Sequence, residues 1–185
     1  RHVQLRTPST ASVEEFLLNQ TQIDEKTARF ASRVSQGHIG RARFIATNIE
    51  AQSRRKEIFA LPLSLRDIES CFKAAQKLLD LAEDQAEKEN SDRDAAELKQ
   101  LQDAFQGTGR GLISGGAKAI KDLEKEQKSS ATRSIRDNID GALLDLSTFY
   151  RDVLVLQSNG AEILNIDLED EIANYARTTQ PKRTI

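Results

Sequence analysis

The densest chemistry in the sequence is the stretch Gly107-Thr108-Gly109-Arg110-Gly111-Leu112-Ile113-Ser114-Gly115-Gly116, which holds five of the nine glycines. Gly111 and Gly116 have the spacing of a phosphate-binding loop. In such a loop the backbone N–H groups cradle phosphate, and a following Lys and Ser or Thr hold phosphate and magnesium. Here Ala117 occupies the Lys position and Lys118 the hydroxyl position, and the stretch follows a helical pattern at Leu101 and Phe105 rather than a buried strand. It reads as a connector between helices. Zinc-type ligation needs three or four His, Cys or carboxylate groups. His2, His38 and Cys71 are the only residues of the first two kinds, so no such set is expected. The acidic pairs Glu14-Glu15, Glu83-Asp84 and Glu169-Asp170 fall on faces expected to meet solvent, where nothing shifts a carboxyl toward acid–base work. No catalytic residue, no metal and no cofactor is expected, and the chain is read as a non-enzyme.

A basic set is the remaining candidate. Residues 29–56 hold seven basic side chains against one acidic, Glu50. Arg41, Arg43, Arg54, Arg55 and Lys56 are the candidates for contact with DNA or a partner protein. Arg54, Arg55 and Lys56 are consecutive, so they fan around more than half of a helix and cannot all bury. Neutralised phosphates of a nucleic acid are one destination. A solvated helix end or a salt-bridged protein surface is the other. Phe30 and Phe44 are the only aromatic residues in the stretch, too few to read as a series that stacks on bases.

These residues must be positioned by helices. Apolar residues make up 38% of the chain and charged residues 30%, and only three Pro and nine Gly are present, too few for the turns of an all-β protein. Val3 and Leu5, before Thr7-Pro8, read as the end of a strand. Ser12 and Glu15 have capping-box spacing for a first helix with a Val13, Phe16 and Leu17 face. Asp24 is a candidate cap for a second, whose stripe is Thr27, Phe30, Ala31 and Val34. A third is expected over 39–59, burying Ile39, Ala42, Ala46 and Ile49, with Pro62 as its stop. Ser64 then caps a helix with Ile68, Phe72, Ala75, Leu79, Ala82 and Ala86 at 4-3 spacing, Cys71 lying beside Phe72 as a partly buried side chain. The polar run 87–94 reads as a break, with Ser91 opening a new helix. Ile135, Ile139, Ala142, Leu146, Phe149, Val153 and Leu156 continue the 4-3 spacing inside a long helix over 118–157. Asn159-Gly160 closes that helix. Asp167 is the expected cap of a last helix facing inward with Leu168, Ile172, Tyr175 and Ala176, and 178–185 reads as a frayed tail.

The fold class is therefore all-α. A small three-helix bundle over 1–62, with net charge +4, precedes a helical-bundle domain over 63–185, whose first part, 63–106, is at −5. No window is long and apolar enough to span a membrane, and a lone cysteine suits a reducing compartment, so a cytoplasmic protein is expected. A chain that begins at Arg1 and contains no Met is read as a piece of a longer protein.

Three stretches carry a resemblance. Leu5-Arg6-Thr7-Pro8-Ser9-Thr10, the two short helices, and Ser35-Gln36-Gly37-His38-Ile39-Gly40-Arg41-Ala42-Arg43 resemble the lid of AAA+ clamp-loader subunits. Residues 123–133, Thr148-Phe149-Tyr150-Arg151-Asp152-Val153-Leu154 and Asn165-Ile166-Asp167-Leu168 resemble the collar of the same family. The resemblance implies a lid over 1–62 and a collar over 63–185. Sister clamp-loader subunits would be partners through the collar. The sliding clamp and primed DNA would be reached indirectly through the assembly, with no membrane and no small-molecule substrate. In hydrolysing members the third lid helix opens Gly-x-x-Arg, and that arginine senses nucleotide. The matching Gly37-His38-Ile39-Gly40 puts Gly40 in its place, which implies a stationary, non-hydrolysing member. Two other readings stand beside it: a nucleic-acid-binding helical domain using the basic face of 29–56, and a generic helical scaffold.

Overall fold

The computed structural model describes residues 6–20, 22–105, 115–160 and 162–180. Among them every regular element is helical, so the chain is all-α. The expected strand at Val3 and Leu5, the glycine-rich stretch up to Ser114 and the end of the tail lie outside the described residues. The chain divides into two compact units: residues 1–65 with 143–185, and residues 66–142.

The first unit begins with four helices, α1 (Thr10–Gln20), α2 (Glu25–Val34), α3 (Ile39–Thr47) and α4 (Ile49–Ser64). Each start is fixed by a side chain that accepts an otherwise orphaned backbone N–H. Ser9 Oγ takes the N–H of Ser12, so the cap lies three residues before the expected Ser12. Asp24 caps α2 as its position suggests, accepting from Thr27 N at 3.4 Å and Thr27 Oγ1 at 2.5 Å. These bonds hold its carboxyl below the ordinary value. His38 Nδ1 accepts from Arg41 N at 3.2 Å, and Asn48 Oδ1 from Ala51 N at 3.1 Å. Between α2 and α3 the chain turns through two left-handed residues, Gln36 (φ 51°) and Gly37 (φ 83°). A Cβ at residue 37 would lie 2.4 Å from Thr7 Cγ2 and 2.7 Å from Pro8 O, so only glycine lets the chain before α1 pass this turn.

The single helix expected over 39–59 is two helices. Asn48 takes an extended conformation (φ −119°, ψ 108°), ends α3 and caps α4. The break re-aims the following residues, so Ile45 and Ala51 bury while Ile49 is 83% exposed, against the expectation that Ile49 is core. Ile39 is also exposed. Nor does Pro62 stop α4. Its missing N–H falls in the last turn, where the loss of one ladder bond is tolerated, and Leu65 N closes on Pro62 O at 3.3 Å.

Two cores fill this unit. Val13, Leu17, Ala28, Ala31, Val34, Ala42, Ile45 and Ala46 bind α1 to α3 together, with Phe16, Ile23 and Phe30 packed against them. The other joins Phe59 of α4 to Phe149 and Val153 of α6 (Gly116–Gln157) and to Leu168 and Ile172. Phe149 is fully buried and meets Phe59, Tyr150 and Tyr175 edge-on, with ring centroids 5.5, 5.4 and 5.3 Å away. α6 ends at Asn159 (φ 56°) and Gly160, whose N–H reaches back to Val155 O at 2.8 Å, the closure that the Asn-Gly pair suggests. Asp167 does not cap the last helix. It lies in a 3₁₀ turn (Ile166–Leu168) that leads into α7 (Glu169–Thr178), and its carboxylate is engaged elsewhere.

The second unit pairs α5 (Ile68–Ala104) with the first part of α6. The cap of α5 is Asp67 rather than Ser64, in a reciprocal box with Ser70. At 1.5 Å per residue α5 is about 55 Å long. It runs without interruption through 87–94, because Glu, Lys and Arg are good helix formers and Asn90 satisfies its own amide on Ala86 O at 2.6 Å. The apolar stripe is buried only at Ala82 and Ala86. Ile68 and Phe72 are more than 70% exposed and Cys71 is exposed, so the start of the stripe is not core within this unit.

The compact units divide at 65/66 and 142/143, beside the expected division at 62/63. That position lies within α4, and residues 143–180 group with the four N-terminal helices, through the Phe59–Phe149 contact and the ion network described next. Phe149→Ala should lower stability by about 3–5 kcal/mol, whereas Leu146→Ala, at a half-buried position, should cost less than about 2 kcal/mol. Denaturant midpoints of the two variants measure the difference.

Candidate functional site

Of the five basic candidates, two turn inward. Three consecutive residues on a helix point about 100° apart, so α4 aims Arg55 at the core and leaves Lys56 exposed and Arg54 half-buried. Arg43 of α3 is exposed. Arg55 is 2% exposed. Its guanidinium carbon lies 4.5 Å from the centre of the Phe59 ring and 5.2 Å from that of Phe30, so aromatic rings cover the cation. Its nitrogens meet oxygens in three directions. Nη1 donates to Asp167 Oδ2 at 2.6 Å, Nη2 donates to Asn165 Oδ1, and Nε lies 3.5 Å from Asp145 Oδ1. Arg41 of α3 donates to the same Asp145 oxygen at 2.5 Å.

The acceptors are themselves held in place. Asn165 is fully buried and gives its Nδ2 to Asp152 Oδ2 at 2.6 Å. Asp152, also fully buried, accepts the backbone N–H groups of Leu164 (3.0 Å) and Asn165 (2.9 Å), and Arg151 Nη1 at 2.6 Å. Thr148 Oγ1 reaches Asp145 O at 2.7 Å and Asn165 Oδ1 at 3.4 Å. The result is a cluster that runs from Arg41 through Asp145 to Arg55 and there branches, to Asp167 on one side and through the neutral Asn165 to Asp152 and Arg151 on the other, three cations against three anions. Burial pushes the Asp167 carboxyl above its ordinary value even though Arg55 pulls the other way.

The members of the cluster bond one another, and the arrangement ties α6 to α3 and α4 through Asp145 and pins the segment after α6 against α4. Arg41 and Arg55 therefore direct their charge inward, and Arg43, Arg54 and Lys56 remain as the more outward members of the predicted set. Gly40 is exposed on α3, and a Cβ there would make only ordinary contact with the His38 ring at 3.6 Å. Lys56 borders a cleft of about 200 Å³ whose walls include Phe59, Leu63, Leu168 and Glu171. Among the described residues no group of three or more His, Cys, Asp or Glu is arranged to hold a metal, and no helix is long and apolar enough to cross a membrane.

Sequence reasoning missed Asp145, Asp152 and Asn165, and placed Asp167 as a cap. One signal was available. Residues 29–56 carry almost no acidic partners of their own, while Asp145 and Asp152 flank Phe149 at i−4 and i+3 on the buried side of α6. Carboxylates on an apolar face call for cations from elsewhere in the chain.

Comparison with family models, with curated proteins and with solved structures finds no match for the chain.

Removing one partner of a buried ion cluster leaves the others uncompensated. Asp145→Ala should cost about 3–5 kcal/mol, and Arg43→Ala should stay within about 0.5 kcal/mol of the parent. Thermal and denaturant unfolding measure both.

Proposed function

We propose that the chain is the lid-and-collar part of a non-catalytic clamp-loader subunit, of the delta prime kind in bacterial DNA polymerase III. It would act in the cytoplasm by assembling with sister subunits that place a sliding clamp on primed DNA. The observation that carries this reading is the stretch 35–46. There a Ser-Gln-Gly-His-Ile-Gly-Arg-Ala-Arg run joins two short helices to a third and has glycine where hydrolysing relatives carry the sensor arginine. The all-α architecture is compatible with it. So is Arg41, the neighbouring arginine, which ends on Asp145 rather than in solvent. In this role the fragment needs no cofactor and catalyses nothing. It offers helical surface to sister subunits and touches clamp and DNA only through the assembly.

Direct nucleic-acid binding by 29–56 is the second reading, and it has fewer outward charges to draw on, because Arg41 and Arg55 end on internal carboxylates. Mixing the purified chain with clamp-loader sister subunits and sizing the product separates the readings. A stable complex that survives about 0.3 M salt, where surface charge is screened within several Å, is the expected result. No complex, together with salt-sensitive binding to a DNA duplex, would replace the first reading by the second. Neither would leave a generic scaffold.

A further inference from the structure

Reactive chemistry outside the ion cluster sits at the end of α6. Of the chain's asparagines, Asn159 is the one followed by glycine. Asparagine is thermolabile, and most so before glycine, whose backbone nitrogen has no side chain beside it to hinder attack on the asparagine Cγ. The helix end needs this pair. Asn159 is exposed and has φ 56°, a left-handed conformation that asparagine tolerates better than most side chains. Its N–H donates to Leu156 O at 3.1 Å, and the Gly160 N–H donates to Val155 O at 2.8 Å. These two bonds satisfy carbonyls that the end of a helix would otherwise leave open. A Cβ at residue 160 would lie 2.8 Å from Val155 Cγ1 and 3.1 Å from Val155 O, so glycine is what lets residue 160 close on Val155.

The Gly160 nitrogen cannot close the helix and attack Cγ at once. Attack requires it to give up its proton, and in the closed helix end that proton is committed to Val155 O. We infer that Asn159 is a deamidation site held latent by the closure of α6 and exposed to reaction when that helix end opens. Once open, the Gly160 nitrogen loses its proton to hydroxide and bonds to Cγ. Ammonia then leaves, and a five-membered imide remains. Water opens the imide at either carbonyl, giving aspartate or isoaspartate, so one water is consumed and one ammonia released with no oxidant or cofactor. The products do not restore the closure. Both place a carboxylate at the negative end of the α6 dipole, and isoaspartate adds one main-chain atom before Gly160, which shifts its N–H off Val155 O. The loss extends to α7, because Gln157 Nε2 donates to Ala176 O at 3.2 Å and to Thr179 O at 2.9 Å from the same helix end.

The test incubates the full chain at mildly alkaline pH, native and, in parallel, unfolded in guanidinium chloride. Peptide mass spectrometry follows the replacement of the Asn159 side-chain NH2 by OH. The native chain should convert at least roughly tenfold more slowly than the unfolded one, the protection that closing hydrogen bonds supply. Gly160→Ala slows the attack itself in both states, but its native and unfolded rates should fall within about threefold of each other, because the closure no longer forms. If that variant does not fold, the parent decides: below the unfolding transition, deamidation should rise with guanidinium in step with hydrogen exchange of the Gly160 amide. Asn159→Asp should speed amide exchange over 155–160, whereas Asn159→Gly, which keeps the left-handed turn, should leave it at the parent rate. Equal rates in the native and unfolded parent, no conversion in the unfolded chain, or a Gly160→Ala ratio as large as the parent's would overturn the assignment.

Discussion

A guanidinium keeps its proton at any pH a protein survives, so burying one obliges the fold to supply anions or hydrogen-bond acceptors around it. Arg55 imposes that obligation on the first unit. Asp145 comes from α6, Asn165 and Asp167 from the segment after it, and the ring faces of Phe30 and Phe59 cover the remaining sides. The three polar partners are separated from Arg55 by about ninety to more than a hundred residues of sequence, and they can meet it only if 143–180 folds onto α4. Asp152 extends the constraint by capturing the backbone of Leu164 and Asn165, which fixes the loop that delivers Asp167. The aromatic core around Phe149 lies beside this network and supplies the apolar contribution that an ion cluster alone does not.

The two units are held by different physics. In the first, small residues such as Ala28, Ala31, Ala42 and Ala46 let α1 to α3 approach closely around Val13, Leu17 and Val34, and a charged cluster joins the distant segment to them. In the second, two long helices share few buried apolar side chains, and polar pairs such as Asn90 with Ser134 cross between them. Residues 143–180 share a compact unit with the four N-terminal helices, so the division does not run at a single point along the chain.

How far the sequence revealed this depends on the kind of interaction. Helical class, the Asp24 cap and the Asn159-Gly160 closure were legible because they depend on neighbouring residues, as were Phe149 and Val153 as core, which the spacing carries. The break at Asn48 was less so, since an Asn inside an apolar repeat reads equally as a tolerated helical residue. Phe72 and Ile68 show the limit of periodicity: a stripe says which face is apolar and not whether anything covers it. The Arg55 cluster lay furthest out of reach, because its members are far apart in sequence and each alone looks like an ordinary surface charge. An Arg flanked by Arg54 and Lys56 gives no local sign of which of the three turns inward.

If Arg55 is what fixes 143–180 onto α4, removing its charge should free that segment while leaving the α5–α6 hairpin as it was. Native-state hydrogen exchange on Arg55→Met, a substitution that keeps the length and apolar stem, measures this directly. Amides of Leu164, Asn165 and α7 should exchange at least roughly tenfold faster than in the parent, as expected for the loss of one or more charged hydrogen bonds. Those around Ala82 and Ala86 should keep their parent rates. Unchanged protection over 164–178, or an equal loss across both units, would show that the aromatic core alone holds the segment and that the buried guanidinium is incidental to the fold.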